Sequence, residues 1–248
     1  MKVLLVHAHP EPASLNGFLR DLAVETLQGG QHQVRVSDLY AMNFPAALGP
    51  ADVQGPRVDA THFKAQAEQK QALAQGSFAP EIKAEQEKLR WCDHLILQFP
   101  IYWFSMPAIM KGWVDRVFTT GFAYGGGGTM WYENGGLKGR RALVSMTTGA
   151  AAPAFAADGI HGDIDRILWP IHNGIMHFCG FQVLRPEIFY GVSRIDAEAR
   201  AAMIERYRRR LVGLEREQPL YFHRLADFGA DHRLKPEVTP LTGFQYRG

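Results

Sequence analysis

Leu95 to Phe104 reads LILQFPIYWF, an apolar run that passes straight into Pro100 and then two large aromatic rings. A strand apolar on both faces must lie inside a sheet covered on both sides, and its carboxyl end is where open α/β sheets bind ligands. Trp103 and Phe104 therefore stand where a flat cofactor would lie. Taken alone, the segment reads equally well as core aromatics, and the rest of the chain decides.

Working outward, strand-like runs occur at Val3 to Val6, Gln33 to Val36, Leu95 to Phe99, Ala142 to Thr147 and Gln182 to Phe189. Helical patterns fall between them, and that alternation predicts a parallel sheet of five strands with helices on both faces. The first helix spans Leu15 to Leu27 behind a Ser14 cap, and the second spans Glu81 to Trp91 after Pro80. Pro107 to Phe118 sets Met110, Trp113, Val114, Val117 and Phe118 on one core-facing stripe. Asp163 to Phe178 reads as a fourth helix bent at Pro170, and Asp196 to Leu214 as the last. Two segments exceed a minimal domain of this kind: Tyr40 to Pro80, and the tail from Gln218 to Gly248. Long excursions of that sort are usually functional or form interfaces.

The 248 residues suffice for one large α/β domain with extensions, and 46% apolar with 21% charged residues promises a sizeable core. A net charge of +2 gives no electrostatic reason to expect nucleic acid or an anionic membrane as partner. The longest basic run, Arg208 to Arg210, has Glu205 and Glu215 nearby and reads as a solvated helix face. Cys92 and Cys179, the only cysteines, sit among apolar neighbours as buried thiols of a reducing compartment would. The first strand is too short for the apolar core of a signal peptide, and no run reaches membrane-spanning length. A cytoplasmic protein without integral membrane association is expected.

Three loops carry chemistry. After the first strand comes His7-Ala-His-Pro-Glu-Pro-Ala-Ser14-Leu15-Asn16-Gly17, which opens directly into a helix whose free amides and dipole suit a phosphate. Ser14 and Asn16 add side-chain donors, and His9 reaches the same anion. The G-x-G-x-x-G pattern of nicotinamide Rossmann sites is absent. Thr147-Thr148-Gly149-Ala150 ends the fourth strand in the same crevice, with small residues that let a cofactor approach the backbone. Gly159-Ile160-His161-Gly162-Asp163 then places His161 beyond the sheet's carboxyl edge, on the ligand side.

At this point the chain resembles the FAD-dependent NAD(P)H:quinone oxidoreductases of the DT-diaphorase type. The resemblance runs to about Phe222 and rests on SDLYAMNF (Ser37 to Phe44), QFP..WF (Gln98 to Phe104), PAI.KGW (Pro107 to Trp113), GIHGD (Gly159 to Asp163), ILWPI (Ile167 to Ile171) and HFCGFQVL (His177 to Leu184). It implies a flavodoxin-like fold with strand order 2-1-3-4-5, a catalytic domain over residues 1–217, and a C-terminal extension over 218–248 packing near a dimer interface. By this likeness His9, Ser14, Leu15 and Asn16 would hold the FAD pyrophosphate and ribose. Pro100, Ile101, Tyr102, Trp103 and Phe104 would line the isoalloxazine, and Thr147, Thr148 and Gly149 its pyrimidine side. Asp115 and Arg200 would make outer FAD contacts. His161 would stand near the flavin O2, while Tyr124 and Phe178 would enter from the partner subunit of a homodimer.

The resemblance also implies ping-pong chemistry, in which NADH or NADPH delivers hydride to the flavin and a quinone then takes two electrons over the same face. His161 would stabilise or protonate the edge that becomes negative. The chain departs from the family at Phe155, where a Tyr is usual, at Ala150, which replaces a Gly, and at Gly126, where a pocket Tyr is common. The proton relay and the pocket floor therefore differ here. Some relatives place metal ligands near His172, His177 and Cys179, but the spacing fits only in part, so structural roles and no metal are expected. An azo- or nitro-reductase on the same scaffold is the nearest rival. An electron-carrier flavodoxin and a nucleotide-binding regulatory subunit of a transporter are rivals from other classes, and the carrier needs no nicotinamide pocket.

Overall fold

A computed structural model of the chain describes residues 1–240; the last eight residues of the expected 218–248 extension lie outside the described residues. Strands β1 (Lys2–His7), β2 (Gln33–Asp38), β3 (His94–Pro100), β4 (Arg141–Thr147), β5 (Gln182–Val183) and β6 (Glu187–Phe189) form one parallel sheet. Its order is β2-β1-β3-β4-β5, with β6 also pairing β4, which is the expected 2-1-3-4-5 arrangement. The expected fifth strand, Gln182 to Phe189, is in fact two short strands on one neighbour. Leu184, Arg185 and Pro186 separate them, and Pro186 has no amide hydrogen to give to a ladder.

Helices α1 (Leu15–Gly29), α2 (Ala65–Gln75), α3 (Pro80–Trp91), α4 (Ala108–Val117), α5 (Ile164–Ile171) and α6 (Ala197–Gly213) connect and cover the sheet. The two faces separate cleanly by strand alternation. Leu4, Val6, Leu95, Leu97 and Phe99 pack with Leu89 of α3 and with Met110, Trp113 and Val117 of α4. Val3, Leu5, Ile96 and Leu143 pack with Leu19 and Leu22 of α1 and with Met203, Tyr207 and Leu211 of α6. The stripe expected on α4 is buried at all five positions.

The long helix expected over Asp163 to Phe178 changes character halfway. After α5 the chain widens into a π-helical turn, His172–His177, two residues beyond Pro170. A proline inside a helix removes one ladder donor and crowds the preceding turn, and the wider turn accommodates that defect.

The excursion Tyr40 to Pro80 contains α2 and is clamped to the domain rather than projecting from it. Arg116 of α4 donates to Asp52 at 3.0 Å, to Glu81 at 2.7 Å and to the Pro45 carbonyl at 2.8 Å. Gly112 lets α4 approach this segment, because a Cβ there would meet the Ala46 oxygen at 2.1 Å. Two of the quoted motifs meet at the buried Glu85, which accepts from Ser37 at 2.7 Å and from the Trp113 indole at 2.9 Å. Lys88 closes the group at 2.6 Å from the other oxygen of Glu85.

The described part of the tail lies along the domain edge. The Leu220 amide donates to Val183 at 2.7 Å, that of Leu225 donates to Glu133 at 2.9 Å, and Phe222 stacks on His177 with centroids 4.3 Å apart. No helix is long and apolar enough to cross a membrane among the described residues.

Candidate functional site

The carboxyl ends of β1, β3 and β4 meet at one edge, with His7 in register with Gln98, and Pro100 with Thr147. Beyond β1, Ser14 caps α1 by accepting from the Gly17 amide at 3.2 Å. Leu15 and Asn16 occupy the first helical positions, where an amide has no carbonyl within the helix to bond. Gly17 is required here because a Cβ would lie 2.0 Å from the Pro12 oxygen. His9 Nδ1 lies 3.0 Å from both the amide and the carbonyl of Glu11, which fixes the ring and leaves Nε2 free of a partner among the described residues.

Asn16 is the residue whose side chain does not do what its position suggested. Its carboxamide donates to Thr147 Oγ1 at 2.8 Å and accepts from Gln98 Nε2 at 2.9 Å. Ser145 continues the chain, donating to Gln98 Oε1 at 2.6 Å and approaching Tyr207 at 3.4 Å. Asn16 is only 4% exposed, so its carboxamide is buried within this network. Sequence reasoning missed this network, although polar Gln98 in an otherwise apolar strand was the signal for it.

After β3 the Ile101 amide donates to the Thr147 carbonyl at 2.9 Å, and Tyr102 and Ser105 then exchange both backbone hydrogen bonds. Trp103 and Phe104 form the two central residues of that turn with φ of 50° and 58°. Positive φ at both positions is the type I′ geometry, which Asn and Gly ordinarily occupy. Two bulky aromatics held there store strain of the kind found at functional sites. The indole of Trp103 is 97% exposed, and the Trp103 and Phe104 amides bond to nothing among the described residues. Core packing is thus excluded for Trp103.

After β4, Thr148 Oγ1 accepts from the Ala150 amide at 3.2 Å and fixes the turn. At Gly149 a Cβ would meet only Ser193 Oγ at 3.8 Å, so no contact within the chain demands a glycine, and its backbone stands open.

His161 is held against this edge by its own loop. Its amide donates to the Ala154 carbonyl at 2.8 Å, and Gly159 permits the approach, since a Cβ there would lie 2.4 Å from the Pro153 oxygen. The imidazole packs 5.3 Å from the Phe104 ring and 5.0 Å from Phe155. Asp163 then caps α5 by accepting from the Asp165 amide at 2.9 Å. A cavity of about 390 Å³ opens beside His161, Asp163 and Arg166. Tyr190 packs 5.8 Å from the far side of this group on Phe155. Burial first, then Asp165 and Asp163, raises its phenol above the usual range. Tyr190 was missed because it follows a strand that the sequence showed as continuous.

Tyr124 and Phe178 are 5.7 Å apart, joined by Trp131 and Tyr132 in a second aromatic set. Among the described residues this set shares no ring contact with Phe104, Phe155 and His161. Asp115 lies on α4 and is paired with Lys111 at 2.7 Å. Arg200 is exposed on α6 and forms no ion pair among the described residues. His172 and His177 both bury an Nε2 without a partner, and burial pushes each down to about 4.

The family model of the flavodoxin-like fold matches residues 1–211. The chain is 41% identical over 241 residues to NAD(P)H dehydrogenase (quinone) 1 of Rattus norvegicus, with 96% of this chain and 87% of that one covered. It is 42% identical over 219 residues to the human ribosyldihydronicotinamide dehydrogenase (quinone), covering 88% and 94% respectively. Among solved structures, a candidate quinone reductase of Klebsiella pneumoniae superposes with a TM-score of 0.93 at 44% identity, over 97% of this chain and 96% of that one. The chain therefore belongs to the flavodoxin-like fold family, as an enzyme of its NAD(P)H:quinone oxidoreductase branch.

Proposed function

We propose that this enzyme transfers two electrons from NADH or NADPH to quinones through a bound FAD, working as a homodimer with ping-pong kinetics. The observation that carries the reading is the strained Trp103–Phe104 turn, with two unpaired amides, set beside the start of α1 and the open backbone of Gly149. A flat ring system with a polar edge and a phosphate tail fits that donor set: the turn amides and Gly149 meet the edge, and the amides of Leu15 and Asn16 meet the phosphate. When bound, the flavin supplies the two-electron chemistry that neither substrate performs directly with the other.

The protein's share is position and field. Trp103 and Phe104 form a shelf that orients the ring, and Ser14 and His9 add donors for the anion. His161 presents its imidazole to the edge on which negative charge develops, and Phe104 and Phe155 fix that ring and keep water off its flanks. FAD rather than FMN is favoured by Arg200, a cation with no partner among the described residues, and by the clamped segment 40–80, which adds surface for an adenine. The dimer is supported by the separation of the Tyr124–Phe178 set from the His161 set, each offering half of a pocket. A cytoplasmic location and a single catalytic domain over 1–217 complete the reading.

Flavin released by heat should chromatograph as FAD, and the holoenzyme should oxidise NADH or NADPH far faster with a benzoquinone than without it. A pure FMN peak overturns the cofactor assignment, and no stimulation by quinone overturns the activity. A monomeric variant that keeps its flavin and the full rate overturns the shared site.

A further inference from the structure

Two buried glutamines direct their side chains at one loop. Gln86 of α3 donates through Nε2 to the Val117 carbonyl at 3.1 Å and to Thr119 Oγ1 at 3.0 Å. Gln69 of α2 accepts from the Thr120 amide at 3.1 Å. Val117 ends α4, where a carbonyl has no partner within the helix, and residues 119–121 belong to no helix or strand of the sheet. The backbone there must find its hydrogen bonds elsewhere, and the two helices of neighbouring segments provide them. A buried carboxamide costs stability unless it is bonded, and a leucine of similar size would avoid that cost.

The loop they hold carries Tyr124. The Gly121 amide donates to the Tyr124 carbonyl at 2.6 Å, and Thr120 and Tyr124 pair as an isolated bridge, so the place of residue 120 sets that of residue 124. Gly121, at φ 86°, seats the turn against α2, because a Cβ there would meet the Leu73 side chain at 2.8 Å. From the other side the Gly136 amide donates to the Ala123 carbonyl at 2.9 Å. The Tyr124 ring then meets Phe178 with centroids 5.7 Å apart. A change at Gln69 or Gln86 therefore reaches this aromatic pair through the backbone of the loop.

We propose that Gln69 and Gln86 are positioning residues that set Tyr124 for the pocket it shares with the partner subunit, Gln69 as an acceptor and Gln86 as a donor. The inference rests on the quinone-reductase reading, since it is there that Tyr124 is assigned to the shared pocket.

Steady-state turnover of a benzoquinone by the flavin-loaded enzyme separates the two. Tyr124→Ala should raise the quinone KM about five- to tenfold, the scale of one aromatic contact, with kcat little changed. Gln69→Leu and Gln86→Leu should each raise it about threefold or more, again with kcat little changed, because a displaced loop loses the same contact. Gln69→Glu keeps an acceptor oxygen for the Thr120 amide, ionised or not, and should bring KM back nearly to that of the wild type. A role in packing alone would lower the urea midpoint of the leucine variants and leave their quinone KM where it was. An unchanged KM in both leucine variants, or no recovery in Gln69→Glu, overturns the inference. If Gln86→Leu does not fold, Gln69→Leu against Gln69→Glu decides by the same criterion. An unchanged KM in Tyr124→Ala overturns instead the placing of Tyr124 in the pocket, and wild-type turnover that quinone does not stimulate overturns the quinone-reductase reading itself.

Discussion

The Asn16 carboxamide donates to the Thr147 hydroxyl at 2.8 Å, so two side chains that the sequence pointed at a cofactor point at each other. The contact joins α1 to β4 across a separation of 131 residues and is extended through Gln98 and Ser145 to α6. It locks the two loops of the crevice to one another before any ligand arrives. Thr147→Val keeps the shape and removes the acceptor, leaving a buried amide hydrogen unpaired, which costs about 1 to 3 kcal/mol. Urea denaturation should show that loss, and Asn16→Ala combined with it should cost less than the sum of the two. Additive losses would mean that the pair does not act as a unit.

Phe155 fills the place beside His161 with a ring that has no hydroxyl, its centroid 5.0 Å away. If His161 stabilises charge at the flavin edge, His161→Gln should slow flavin reduction by NAD(P)H by roughly 10 to 1,000-fold, the scale of losing one oriented donor. Phe155→Tyr should raise the wild-type rate modestly by adding a proton path. Stopped-flow absorbance of the bound flavin reads both. An unchanged rate in His161→Gln removes His161 from the mechanism.

Much of this architecture was legible because the strands carry it. Val3 to Val6 and, Gln98 apart, Leu95 to Phe99 are apolar on both faces, and only a sheet covered twice can use them. The Ser14 cap and the α4 stripe were equally plain. Helix α2 was not, because its buried positions include Glu68 and Gln69 alongside Ala72, and polar residues that pack leave no apolar period. The π turn and the split of β5 from β6 follow from Pro170 and Pro186, whose effect depends on neighbours the sequence does not reveal. Trp103, Phe104 and Gly149 lie beyond the carboxyl ends of their strands, where the strand pattern put them, yet the direction of the Asn16 side chain depended on partners 82 and 131 residues away.

Three buried imidazoles and the half-buried His177 should weaken the fold in acid. Burial holds His7, His94, His172 and His177 at about 4, below the usual 6.5, with Asp38 opposing the shift at His7 and Asp93 and Glu215 opposing it at His94. Each is neutral in the fold down to about pH 4, while the unfolded chain takes up its proton near 6.5. Their contribution is therefore fully present above about 6.5 and is lost as the pH falls toward 4, by up to about 1.4 kcal/mol per pH unit for each group. Urea midpoints measured from pH 7.5 to 4.5 should be level at first and then fall. His94→Leu should flatten part of the fall, and a midpoint level throughout would contradict the assignment.

The Trp103–Phe104 turn sets stability against function. Left-handed backbone costs a bulky residue roughly 1 to 2 kcal/mol, and two such residues stand in succession at φ of 50° and 58°. Among the described residues almost nothing packs on Trp103, which is 97% exposed, so in the proposed holoenzyme the bound ring would supply the compensation. Replacing the pair by Asn-Gly, as Trp103→Asn with Phe104→Gly, supplies the residues that a type I′ turn favours. The flavin-free double variant should be more stable than flavin-free wild type by about 1 to 3 kcal/mol in urea. Its flavin content after dialysis should fall well below that of the wild type, because the shelf has gone. A variant that gains no stability would show that the turn is not strained, and one that retains flavin as tightly as the wild type would show that the aromatic shelf does not hold the ring.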